Sequence, residues 1–200
     1  KLKEYDKALL DYAKCIEIDP KYMRAYSSRG GLYYNLKEYD KALLDYSKCI
    51  ELDPENSRYY DYRGDIYKNL MEYDKALLDY SKCIELDPAD PASYNNRGWV
   101  YERLEEYDKA LLDLSKCIEL EPDSTYTYNN RGHVYKELME HDKALLDFAK
   151  CIELDPEDIF AYNNRGLTYK KLEEYDKALL DFAKCIELDP EYIGAYNNRG

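Results

Sequence analysis

Apolar residues return every three or four positions along most of this chain. Tyr73, Ala76, Leu77, Tyr80, Cys83 and Ile84 share one face at that step, which predicts a helix from about Tyr73 to Leu86. Tyr60, Arg63, Gly64 and Tyr67 mark a helix of a second kind, from about Ser57 to Leu70. Asp87-Pro88 stops the first, because proline disfavours α geometry in the residue before it. Ser57, Thr125 and Asp158 read as N-caps for helices of the second kind, and Asp90-Pro91 puts proline at a first helical position. Nothing alternates with period 2, so no strand is predicted and the fold class reads as all-α.

The pattern repeats. Cys15, Cys49, Cys83, Cys117, Cys151 and Cys185 lie 34 apart, as do Pro20, Pro54, Pro88, Pro122, Pro156 and Pro190. Gly30, Gly64, Gly98, Gly132, Gly166 and Gly200 keep the same step. A fixed period of this length signals a solenoid, whose units stack because none buries its own apolar face. Placing each proline at position 32 gives full repeats 23–56, 57–90, 91–124, 125–158 and 159–192, with partial repeats 1–22 and 193–200. We call the two helices of each repeat A and B. The connections between helices are short, so neighbours are expected to be antiparallel. Residues 1–200 read as a single array, and since they begin and end inside a repeat, as a piece of a longer one.

This pattern resembles the tetratricopeptide repeat (TPR) over the whole chain. The motif residues are Tyr94, Gly98 and Tyr101 on helix A, then Ala110, Leu114 and Cys117 on helix B, before Pro122. The resemblance implies an α-solenoid, a right-handed superhelix of antiparallel helix pairs, with helix A lining a concave groove that holds peptides. Three positions depart from the family pattern. Arg29, Arg63, Arg97, Arg131, Arg165 and Arg199 stand where the family commonly has Leu. Lys37, Met71, Glu105, Met139 and Glu173 replace the glycine of the A–B turn, and Cys replaces Ala late in helix B. A partly buried guanidinium needs a partner. The repeated Asp45, Asp79, Asp113, Asp147 and Asp181 are candidates, tyrosine faces are an alternative, and an arginine head in water is the third reading.

Composition adds exclusions. The chain is 45% hydrophobic yet has a mean hydropathy of −0.80, because 25 Tyr stand against 3 Phe and 1 Trp. Their helical spacing reads as packing, with hydroxyls reaching water or carboxylates. The net charge of −13 argues against nucleic acid or an anionic membrane as partner. Each repeat carries the same motif, as in Glu72, Asp74, Lys75, Asp79, Lys82, Glu85 and Asp87, so the charge reads as a solvated outer face. No apolar run is long enough to span a bilayer. Equivalent cysteines in stacked repeats sit about 10 Å apart, too far for a disulfide. There is no C-x-x-C and no His at ligand spacing, so no metal or cofactor is expected. Buried free thiols fit a reducing, cytoplasmic compartment. Neither His133 nor His141 recurs between repeats, and no nucleophile is paired with a histidine, so the chain does not read as an enzyme.

Function is therefore sought where repeats differ. The motif D-K-A-L-L-D-x-x-K-C-I-E recurs in every helix B, while helix A varies at repeat positions 2, 5, 6, 9 and 12. Two features stand out there. One is an asparagine run through Asn95, Asn96, Asn129, Asn130, Asn163, Asn164, Asn197 and Asn198, whose amides match a peptide backbone. It is similar to the asparagine ladder of the O-GlcNAc transferase superhelix; the other reading is ties between neighbouring helices. The second is an aromatic set, Trp99, Tyr126 and Phe160. We expect a peptide site from Asn95, Asn96, Trp99, Tyr126, Asn130, Phe160 and Asn164, although Trp99 also fits packing against a neighbouring helix. The dicarboxylate clamp of chaperone-binding relatives is incomplete, which disfavours chaperone tails. The rival function is structural: repeats without polar caps expose apolar ends and can self-associate into filaments.

Overall fold

The computed structural model describes residues 2–200 as twelve helices. They are α1 (Leu2–Ile18), α2 (Met23–Asn35), α3 (Tyr39–Leu52), α4 (Ser57–Asn69), α5 (Tyr73–Leu86) and α6 (Pro91–Arg103). Then follow α7 (Tyr107–Leu120), α8 (Thr125–Glu137), α9 (His141–Leu154), α10 (Ile159–Lys171), α11 (Tyr175–Leu188) and α12 (Ile193–Arg199). Among the described residues there is no strand. Even-numbered helices are A and odd-numbered ones B. Asp158 caps α10 by accepting from the Ala161 N–H, as expected. Ser57 and Thr125 do not cap: each is already the first helical residue, behind Asn56 and Ser124. Asp90 takes the capping role before Pro91, accepting from the N–H groups of Ala92 and Ser93.

The helices form two units, one up to Val100 and one from Tyr101, divided within α6. Inside each unit, A and B pair antiparallel. Cys83, near the end of α5, donates its thiol to the Ser57 carbonyl at the start of α4 (3.2 Å). Cys151 does the same to Thr125 (3.2 Å). Within the units, B helices also pack on the A helix of the next repeat: α1 on α2 and α3 on α4 in the first, α7 on α8, α9 on α10 and α11 on α12 in the second. This is the α-solenoid arrangement. The cysteines are all free thiols. Burial pushes Cys83 and Cys151 up to about 12, so they remain protonated and inert.

The close approach of A and B depends on glycine. A Cβ on Gly132 would lie 2.7 Å from the Phe148 ring, and one on Gly166 2.7 Å from Phe182. The A–B turn, by contrast, contains no glycine. Lys37, Met71, Glu105, Met139 and Glu173 all hold φ between 59° and 61°. In the α4–α5 turn Glu72 N–H bonds the Tyr67 carbonyl and Met71 N–H the Lys68 carbonyl. That is the Schellman closure, which places its strained residue at Met71.

The arginines find two of the three expected partners together. Arg29, Arg63, Arg131 and Arg165 each make a fork with Asp45, Asp79, Asp147 and Asp181, at 2.7–2.9 Å. Their guanidinium carbons also lie over Tyr26, Tyr60, Tyr128 and Tyr162. The free Nη1 of Arg63 and Arg131 donates to Ser47 and Ser115 on the preceding helix B. One side chain thus ties its own repeat to the one before. Tyrosine hydroxyls also reach somewhere other than expected: Tyr26, Tyr60 and Tyr196 donate to the Pro20, Pro54 and Pro190 carbonyls. A second set lies beneath lysine, as Tyr67 does under Lys75 at 5.2 Å.

Candidate functional site

Helix A carries its variable residues on two rows. Positions 5 and 6 form an amide row that bonds from one A helix to the next. Asn164 on α10 donates its amide to Asn129 Oδ1 on α8 at 2.9 Å. Asn198 on α12 does the same to Asn163 on α10 at 2.8 Å. In the first unit Asn96 donates to Asp61 Oδ1 at 3.3 Å. Ties between neighbouring helices are therefore real, and the tied Asn164 is only 8% exposed; Asn95 is 7% exposed. An amide has two N–H groups and two acceptor sites, so one such bond uses part of its capacity.

Position 9 forms the second row, and at Asp65 and His133 it meets the large residue of helix B. Tyr80 donates its hydroxyl to Asp65 at 2.7 Å, and burial followed by the Asp65 charge raises its pKa. His133 stands edge-on to Phe148 at 6.0 Å. Burial, with Lys136 and Arg103 nearby, pushes His133 down to about 4, so this imidazole is neutral. The two rows meet in the first unit around Lys68. Its ammonium pairs with Asp65 at 2.6 Å and donates to Asn96 at 3.2 Å. It also lies over the rings of Tyr80 and Trp99. Asp61 sits beside this network, where burial first and the Asp65 charge second raise it to about 6.

The expected site residues divide between the units. Asn95, Asn96 and Trp99 belong to the first; Tyr126, Asn130, Phe160 and Asn164 belong to the second. Trp99 is half-buried and packs edge-on against Tyr73 at 6.3 Å. Tyr126 and Phe160 stand out in solvent, 58% and 65% exposed, and Phe160 has Tyr192 at 6.3 Å as its ring neighbour. The sequence reading missed the Asp61, Asp65 and Lys68 network. Its signal was present: in this repeat alone both position 5 and position 9 are Asp. Among the described residues no group of His, Cys, Asp and Glu is arranged to hold a metal ion. No described helix is long and apolar enough to cross a membrane.

Comparison with known proteins gives a consistent result. The tetratricopeptide repeat model matches residues 24–56, 91–124, 125–158 and 159–192, and related TPR models match 64–105 and 1–22. Among solved structures, YrrB, described as a TPR protein with an unusual peptide-binding site, is 27% identical. The match covers 93% of this chain and 96% of YrrB at a TM-score of 0.73. A MamA structure is also 27% identical, covering 82% of this chain and 96% of its own, at 0.76. MamA from Desulfovibrio magneticus RS-1 shares the fold at 20% identity, with coverage of 85% and 96% and a TM-score of 0.78. A comparison with curated proteins found no match.

Proposed function

The chain belongs to the tetratricopeptide repeat family, whose fold makes it a protein-interaction scaffold, and we propose that its ligand is an extended peptide held along the A helices. The observation that carries this reading is the distribution of variation. Helix B repeats one motif, and its invariant residues form the Arg–Asp forks and the thiol contacts that build each repeat. Helix A varies at positions free of that duty. Asn95, Asn96 and Trp99 in the first unit, and Tyr126, Asn130, Phe160 and Asn164 in the second, supply amides and aromatic surface suited to a peptide. The likeness to YrrB, a peptide-binding TPR protein, supports the same reading. A peptide selected from a random library on the full chain tests it. Phe160→Ala and Asn164→Ala should each weaken that peptide by about 5- to 30-fold, whereas Leu146→Ala on helix B should leave it unchanged. Equal affinity in all three variants would overturn the proposal.

Self-association is the second reading, and one observation favours it. Each helix B exposes a leucine by more than 70%: Leu10, Leu44 and Leu78 in the first unit, Leu112, Leu146 and Leu180 in the second. Sedimentation velocity over a concentration series separates the readings. A constant monomer supports the peptide scaffold, and growing assemblies support the polymer.

A further inference from the structure

One repeat junction in the second unit is hollow where its counterpart in the first unit is filled. In the first, Trp99 at position 9 lies edge-on to Tyr73 at position 17 of the repeat before, with Lys68 over the indole at 5.9 Å. One of the two pairs at the same positions in the second unit is Leu167 and His141. Both are smaller, and a cavity of about 630 Å³ opens beside them. Lys136, the counterpart of Lys68, lines it.

The cavity has chemistry as well as space. His141 lines it with its ring, whose Nδ1 is itself buried from solvent. Lys136, Lys170 and Lys171 line the cleft against a single acid, Glu137, in a chain whose net charge is −13. Lys136 is 3.9 Å from Glu137 and Lys170 donates to the Asn198 carbonyl, so neither is locked in a close ion pair. A positive rim around an apolar notch selects an acidic ligand with an aromatic group.

We propose that this cleft receives the indole or phenol side chain of an acidic peptide segment. The ring takes the place that Trp99 occupies in the first unit. Its edge packs on the His141 ring as Trp99 packs on Tyr73, and flanking carboxylates meet Lys136 and Lys171. The inference rests on the reading that the A helices carry the peptide, and it names one side chain of that peptide and its charge.

Fluorescence anisotropy with the full chain and a labelled Glu-Glu-Trp-Glu-Glu peptide tests it. The wild type should bind this probe at least 10-fold more tightly than Glu-Glu-Ala-Glu-Glu. Leu167→Trp, which refills the notch as Trp99 does, should weaken the probe at least 10-fold with an unchanged helical circular dichroism spectrum. Lys171→Glu should weaken it about 3-fold or more. Equal binding of the two probes, absence of binding, or indifference to Leu167→Trp would overturn the cleft assignment. Library-selected peptides that bind and still respond to Phe160→Ala in that case leave the broader peptide reading standing, so the two failures are distinguishable.

Discussion

Arg63 and Asp79 face each other as a two-pronged fork, Nε to Oδ2 at 2.8 Å and Nη2 to Oδ1 at 2.7 Å. The pair joins α4 to α5, and the third prong reaches Ser47 on α3. The aspartate is buried and the guanidinium partly exposed. Removing one partner strands the other. Asp79→Ala should cost about 2–3 kcal/mol, below the full buried-pair value because water reaches the arginine. The double variant Arg63→Leu/Asp79→Leu, which restores the usual family leucine, should cost less than the sum of the single changes. Urea denaturation of the four proteins measures this; strict additivity would show that the fork carries no coupling.

The A–B turns hold side chains where the backbone favours glycine. Met71 and Met139 sit at φ 59° and are largely exposed, so their side chains contribute little packing. Left-handed geometry costs an L-residue about 1–2 kcal/mol, and glycine gives back about 0.5–1 in unfolded-state entropy. Met71→Gly and Met139→Gly should each raise the melting temperature by about 1–3 °C. A fall in either would contradict the strain assignment.

Helix A glycines behave in the opposite way. Gly132→Ala drives a methyl into the buried Phe148 ring, which should cost about 1–3 kcal/mol despite alanine's better helix propensity. Gly31→Ala is the control. Its methyl meets only the Tyr46 hydroxyl at 3.3 Å, so this change should be neutral or stabilising. Thermal melts of both variants decide the matter, and a stabilised Gly132→Ala protein would refute the packing argument.

Asp61 should make stability pH-dependent. Its folded pKa is raised from 3.8 to about 6, so between those values the folded state holds more protons than the unfolded one. Stability from this group is therefore lost as pH rises from about 4 to 6, by up to about 3 kcal/mol. Asp61→Asn introduces the residue that four other repeats carry at this position. The variant should gain on the wild type steadily over that interval. A constant difference across pH 4–7 would show that Asp61 does not titrate there.

Much of this was legible in the sequence because the repeat averages the signal. Helix B was placed at Tyr73–Leu86, which is where α5 lies, since apolar spacing and Asp87-Pro88 agree. The aspartates stood among three readings for the arginines, on their common step of 34, and the structure combines them with the tyrosine faces. Caps were less so: Ser57 and Asn56 both carry an oxygen able to accept from a helix-start N–H, and sequence does not choose between neighbours. The cleft at His141 and Leu167 was not visible at all. It arises from two separate size reductions, on different repeats, that matter only once α9 and α10 pack together.

The central claim is that helix A reads a peptide while helix B builds the frame. Side-chain amide and methyl NMR of the full chain, titrated with a library-selected peptide, tests it most directly. The account predicts that the side-chain amide resonances of Asn96, Asn130 and Asn164 shift on saturation while the methyls of Leu112, Leu146 and Leu180 stay in place. Shifts confined to those leucine methyls, with the asparagine amides unmoved, would contradict it.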